Sequence, residues 1–223
     1  MTGGIDHLVI ASDTLAQGSA WCESLLGVTP GPGGRHALMG THNLLLAIAS
    51  DGFPQAYLEV IAVDPDAPAP GRPRWFGLDR PSLQAALRQS PRLLHLVLRT
   101  TDLPAQRAGL VALGQDPGAP LALLREAPPG APLAWRMLVR GDGDIACGGA
   151  LPTLIEWQGR HPADMLPRSP VALRSVAVGG LPAPVAGWLA AMPGLRGLTF
   201  GTGGPALSAG FDTPGGLVTM DTE

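Results

Sequence analysis

Residues 5–17, IDHLVIASDTLAQ, return in outline at residues 93–106 as LLHLVLRTTDLPAQ. In each copy a short apolar run of strand type feeds a helical pattern, and an imidazole stands third in the run: His7 in the first, His95 in the second. Each copy also closes on a later apolar run with one acid inside it, Glu59 in AYLEVIAVD and Glu156 in LPTLIEWQG. A unit of this kind, duplicated, can bring two imidazoles and two carboxylates toward a pseudo-twofold axis. Those are the side chains a divalent cation recruits.

Both copies read β-α-β-β-β. In residues 1–63 the expected strands are Ile5–Ala11, His36–Met39, Asn43–Ala49 and Ala56–Val63. Ser12 or Asp13 caps the helix, Gly27 ends it, VTPGPGG follows as a turn-rich loop, and GTHN joins the two middle strands. Residues 64–92 form a connector rich in Pro and Arg, with a short helix at PSLQAALRQ that has Pro81 near its start. The second unit, residues 93–165, repeats the order with strands at Leu93–Arg99, Leu121–Arg125, Leu133–Arg140 and Thr153–Trp157 and a helix at Pro104–Leu113. Its extra length falls in loops at APPGAP and GDGDIACGG. Residues 168–223 carry a third, degenerate βαβββ-like echo, with Ser175 where the histidines stand and no acid in the last strand. That unit keeps the scaffold without the ligands, which suits it to packing, to covering a mouth or to burying a face in a homodimer.

The fold class is α+β. At 223 residues and 45% hydrophobic content the chain supports a sizeable core, and with only 4% aromatics that core is mostly aliphatic. All fifteen basic residues are Arg, so a Schiff-base lysine, a phosphate-loop lysine and a lysine base are excluded. A formal charge of −3 without a basic block argues against nucleic acid as a partner, and no phosphate-cradling motif points to a nucleotide cofactor. No apolar stretch approaches the roughly 20 residues of a spanning helix, which argues against a membrane. Nothing at the start resembles a signal peptide, so a cytoplasmic protein is expected. Cys22 and Cys147 are too few for a disulfide framework, and Cys22 reads as a buried helix residue.

The pieces IDHLVIA, GGRHALMGTHNLL, YLEVIAVDP, RPRWFGLD and LIEWQGRHPA resemble the glyoxalase-like domain family of the vicinal-oxygen-chelate superfamily, which also holds bleomycin-resistance proteins and extradiol dioxygenases. The resemblance covers nearly the whole chain. It implies paired βαβββ modules curled into a mixed-sheet cup whose floor holds a divalent metal on the first and fourth strands of each module. Residue by residue it places His7, Glu59, His95 and Glu156 at the four metal positions. Nothing in this chain matches a glutathione-binding set.

Two imidazoles in the set favour Zn, Ni, Fe or Mn over Ca. Two open positions on such an ion would take vicinal oxygens of a small oxygenated substrate, and a displaced Glu59 or Glu156 would serve as catalytic base. With one Glu and the two His, the set would match oxygen-activating iron. The faces that carry Glu59 and Glu156 are apolar apart from Tyr57 and Gln158, so each carboxylate needs a partner: a cation, an Arg or a protonated His. His36 and His42 are candidates for substrate binding, set against a hairpin role. Tyr57, on the face of Glu59, is a further candidate donor. His161 precedes Pro162 and closes the second module. Arg72 and Arg74 flank Trp75, where stacking on the indole is expected. Two functions stay open: a metal-dependent lyase, isomerase or dioxygenase, and a metal-free protein that binds a small molecule in the same cup.

Overall fold

The computed structural model describes residues 3–126 and 132–222. The first unit holds β1 (Gly4–Ala11), α1 (Leu15–Leu26), β2 (Gly31–His36), β3 (Thr41–Ala47) and β4 (Tyr57–Val63). The connector carries a 3-10 turn at Trp75–Gly77 and α2 (Pro81–Leu87). The second unit holds β5 (Arg92–Arg99), α3 (Leu103–Ala112), β6 (Ala119–Arg125), β7 (Leu133–Val139) and β8 (Thr153–Trp157). The loop expected at APPGAP lies outside the described residues except for Pro132.

One eight-stranded sheet runs β2-β3-β4-β1-β5-β8-β7-β6. In each module the first strand pairs parallel with the fourth, and the remaining pairs are antiparallel. The modules join through β1 and β5, antiparallel, with Leu8 opposite Leu96. The pseudo-twofold passes through that pair, so His7, opposite Val97, and His95, opposite Val9, are related by it.

Alternation along the strands sorts the apolar residues into two clusters. Leu8, Ile10, Leu58, Val60, Leu96, Leu98 and Leu154 pack outward with Cys22 and Leu26 of α1 and Leu103 and Leu110 of α3. Val9, Ile61, Val97, Met137 and Ile155 face the concave side. There the connector returns over the cup, and Trp75, Phe76, Leu78 and Leu87 fill it. The Trp75 and Phe76 rings stack at 5.6 Å, and Phe76 holds a left-handed φ of 58°. The expected stacking of Arg74 on the indole gives way to an ion pair with Asp79 at 2.7 Å.

The cap of helix α1 is neither expected residue but Thr14, one past Asp13 and two past Ser12, which accepts from the Gln17 N–H at 3.1 Å. It ends at Gly27, whose φ of 72° is left-handed. The stretch read as a loop around GPGG is an edge strand, a place where Pro32 costs no ladder bond.

The third unit shows the expected element order, β9 (Ala172–Gly179), α4 (Ala183–Ala190), β10 (Leu198–Gly201), β11 (Leu207–Thr213) and β12 (Gly216–Asp221). Its pairing is its own: β10-β9-β11-β12, with the first strand beside the second and third rather than the fourth. Leu173, Val176, Val178, Phe211 and Met220 join the outward cluster, so this sheet backs the convex face and stands away from the cup.

Candidate active site

Between the connector and the two modules, beside His7 and Glu59, lies a narrow cavity of about 20 Å³. That is room for about one water-sized group. His7, His36, Asn43, Tyr57, Glu59 and Arg125 supply its polar wall, and Trp75, Phe76, Trp135 and Trp157 its aromatic one.

His7 is held from behind. Its Nδ1 lies 2.7 Å from Oδ1 of Asp6, a fully buried carboxylate. Adjacent strand residues ordinarily point to opposite faces, but the β1–β5 register shifts between Ile5 and His7, and this irregularity re-aims Asp6. Asp6 Oδ2 accepts from the Trp157 indole N–H at 2.9 Å and lies 2.9 Å from His161 Nε2. His161 Nδ1 accepts from the Ala163 backbone N–H, so the His161 proton is on Nε2 and is donated to Asp6. Burial alone would raise the Asp6 pKa. The hydrogen bonds from His161 and His7, with the electrostatic pull of both rings, outweigh it and hold the carboxyl well below the usual carboxylate range.

With Nδ1 committed to Asp6, His7 presents Nε2 to the cavity, 3.5 Å from Oε2 of Glu59. The other oxygen of Glu59 accepts from Asn43 Nδ2, and Asn43 Oδ1 accepts from the Gly34 N–H at 2.8 Å. Asn43 thus ties Glu59 to the β2 backbone with both amide atoms used. Tyr57 stacks on His7 at 4.7 Å, and burial together with the Asp6 and Glu59 charges pushes its phenol pKa well up, so it stays protonated. His36 bonds Thr41 Oγ1 at 3.1 Å and meets Trp75 edge-on. Burial is the main cause that pushes its pKa down to about 3, which keeps it neutral.

The other sequence candidates stand elsewhere. His42 turns away from the cavity, 3.9 Å from Asp64. His95 is on the concave face, but its Nε2 accepts from the Thr153 N–H at 3.2 Å and lies 2.9 Å from Thr153 Oγ1, and Phe76 covers its ring at 5.3 Å. Burial pushes His95 down to about 3 as well. Glu156 shares the outward face of β8 with Leu154 and pairs with Arg136, its partner across β7.

The register gives the reason. Glu59 lies opposite Val9, and the twofold equivalent of Val9 is Val97, whose partner is Thr153. The second module therefore sets a His–Thr pair where the first sets a His–Glu pair. The four-ligand site expected at His7, Glu59, His95 and Glu156 is not assembled. Among the described residues, no three His, Cys, Asp or Glu side chains are grouped to hold a metal ion. The residues present do not fit the four-ligand set.

A profile of the glyoxalase-like domain family matches residues 5–192. The chain belongs to that family. Several solved structures are similar to the chain at low identity. A hypothetical protein from Staphylococcus aureus has a TM-score of 0.55 at 17% identity, over 80% of this chain and 70% of that one. Methylmalonyl-CoA epimerase from Mycobacterium tuberculosis has a TM-score of 0.39 at 19% identity, over 69% of this chain and 86% of that one. A Streptomyces coelicolor methylmalonyl-CoA epimerase in complex with 2-nitronate-propionyl-CoA has 0.42 at 18%, over 70% and 96%. No curated protein sequence matches. No helix among the described residues of this glyoxalase-like chain is long and apolar enough to cross a membrane.

Asp6, Asn43, Arg125 and the Trp135–Trp157 wall were missed by sequence reasoning. The one signal for Asp6 was its place beside His7, and alternation argued against using it. Asn43 and Arg125 matter only through the pairing of β2 with β3 and the approach of β2 to β6.

Proposed function

We propose that this glyoxalase-like protein is a proton-transfer enzyme of lyase or isomerase type that acts on a small oxygenated compound in the cavity beside His7 and Glu59. The carrying observation is the pair of His7 Nε2 and Glu59 Oε2, 3.5 Å apart in an aromatic pocket, with His7 braced by buried Asp6. Glu59 carboxylate takes a proton from the carbon beside a carbonyl, and the C–H electron pair becomes the enolate. His7 then gives the Nε2 proton to the carbonyl oxygen, while Asp6 stabilises the imidazolium before that transfer. Reversal returns a proton to carbon. The aromatic walls keep bulk water from the enolate.

A divalent ion such as Zn, Ni, Fe or Mn is outside this reading, because only His7 and Glu59 of the four expected ligands face the cavity. The test is exchange of carbon-bound protons for deuterium in D₂O, followed by NMR, with hydroxyacetone and pyruvate as probes. Exchange above the buffer rate that disappears in Glu59→Gln supports the reading. Exchange that appears only on adding Mn²⁺ or Ni²⁺ would replace it with a metal-dependent one.

A metal-free binding protein is the second reading. It is favoured by the fact that both glutamates are already satisfied, Glu59 by Asn43 and Glu156 by Arg136. Probe binding without exchange in the wild-type protein would decide for it.

A further inference from the structure

Arg125, at the end of β6, is only 8% exposed and lines the cavity with Glu59 and His7. Burial disfavours its charge and the Glu59 carboxylate opposes this, yet among the described residues no hydrogen bond or ion pair of its guanidinium is present. A guanidinium with so little of its residue left in contact with solvent gains from an anion beside it. Its approach is built into the sheet. Edge strands β2 and β6, one from each module, come together here. The side chain crosses Gly34, where a Cβ would stand 2.5 Å from Nη1 and 2.6 Å from Cδ. A second donor in the same wall is incomplete: the Trp75 indole N–H is buried without a partner. Arg125 brings a planar cationic fork to the wall of a cavity whose one carboxylate, Glu59, has its Oε1 taken by Asn43.

We infer that the cavity takes substrates bearing a carboxylate next to the reacting carbonyl, with Arg125 binding the carboxylate across the seam between the modules. This rests on the acid–base reading of His7 and Glu59 and names its substrate class, the 2-oxo acids and their close relatives. A carboxylate supplies two acceptor oxygens and the charge that the guanidinium lacks, in the bidentate geometry Arg favours. A neutral ketone of the same size supplies neither. The cavity as it stands holds about one water-sized group, so such a molecule enters as the Trp75–Phe76 turn of the connector gives way.

Calorimetric titration with pyruvate and its neutral isostere pyruvamide tests this. The wild-type protein should bind pyruvate about 10- to 100-fold more tightly, as expected for one charge-assisted pair. Arg125→Gln should bind the two alike, and Arg125→Lys should keep part of the preference. Gly34→Ala, which leaves every charge in place, should lose it by displacing the guanidinium. Thermal melts establish that each variant is folded. Equal affinities in the wild-type protein, or an undiminished preference in folded Arg125→Gln, would overturn the assignment. Failure of the acid–base reading looks different: pyruvate would bind through Arg125 but show no exchange in D₂O.

Discussion

Thr153 occupies, in the second module, the strand position that Glu59 occupies in the first. Each faces the histidine of its own module, at 3.5 Å for Glu59 and His7 and 2.9 Å for Thr153 and His95. The twofold frame is intact, but only one half carries an acid, and the Trp75–Phe76 plug stands between the halves against His36 on one side and His95 on the other. The duplicated cup is thus chemically one-sided.

The two glutamates should separate cleanly. Glu59→Gln keeps an acceptor for Asn43 but removes the base, and proton exchange should fall at least ~100-fold, the scale of a lost general base. Glu156→Gln breaks an outer pair that is partly exposed on the Arg136 side, worth about 1 kcal/mol or less, and exchange should hold at the wild-type rate. Equal losses in both variants would mean that the outward face takes part.

Asp6→Asn should leave the fold in place but disturb the His7 tautomer, because the amide can offer a donor where Nδ1 needs an acceptor. A loss of roughly 10²- to 10⁴-fold is expected by analogy with the Asp of a Ser-His-Asp triad. The ¹⁵N shifts of His7 report the tautomer directly. A variant with unchanged shifts and unchanged rate would remove Asp6 from the account.

Stability should have an acid limb set by buried neutral imidazoles. His36 and His95 are pushed from 6.5 to about 3, so the unfolded chain binds more protons than the folded one between those values. Stability is then full above about pH 6.5 and declines as pH falls toward 3. Asp6, depressed from 3.8, adds its own loss only below that value. Thermal melts from pH 8 to 3 should show this slope, and His95→Gln should make it shallower. A melting temperature constant down to pH 4 would contradict the burial of neutral His36 and His95.

Packing of α1 on the sheet depends on Gly18. A Cβ there would stand 2.4 Å from Val60 Cγ1 and 2.8 Å from Ser12 Oγ. Gly18→Ala should cost about 1–3 kcal/mol, the range for overpacking a close contact, despite its better helix propensity. Urea unfolding measures the difference, and a stabilised variant would show that the helix can shift outward.

What the sequence made legible was the periodic part. The strands from Ile5, Ala56, Leu93 and Thr153 and the helices ended by Gly27 or begun by Pro81 follow apolar alternation and capping chemistry, which are local. Where the reading went astray, the cause was a relation between strands. GPGG looks like a loop because Gly and Pro punctuate turns, yet as an edge strand its glycines make room for Asn43 and Arg125. Glu156 looked equivalent to Glu59 because both follow an apolar pair near the end of a module, but register, which sequence spacing does not carry, gives that place to Thr153. Asp6 was hidden by the rule of alternation that its own strand irregularity breaks.

The central claim is that the His7 half of the cup does the chemistry and the His95 half does not. The most direct measurement is the rate of pyruvate proton exchange in D₂O for His7→Gln and His95→Gln, side by side, in protein shown to be folded by its melt. The account predicts exchange lost in His7→Gln and retained within a few-fold in His95→Gln. Loss in His95→Gln with retention in His7→Gln would contradict it.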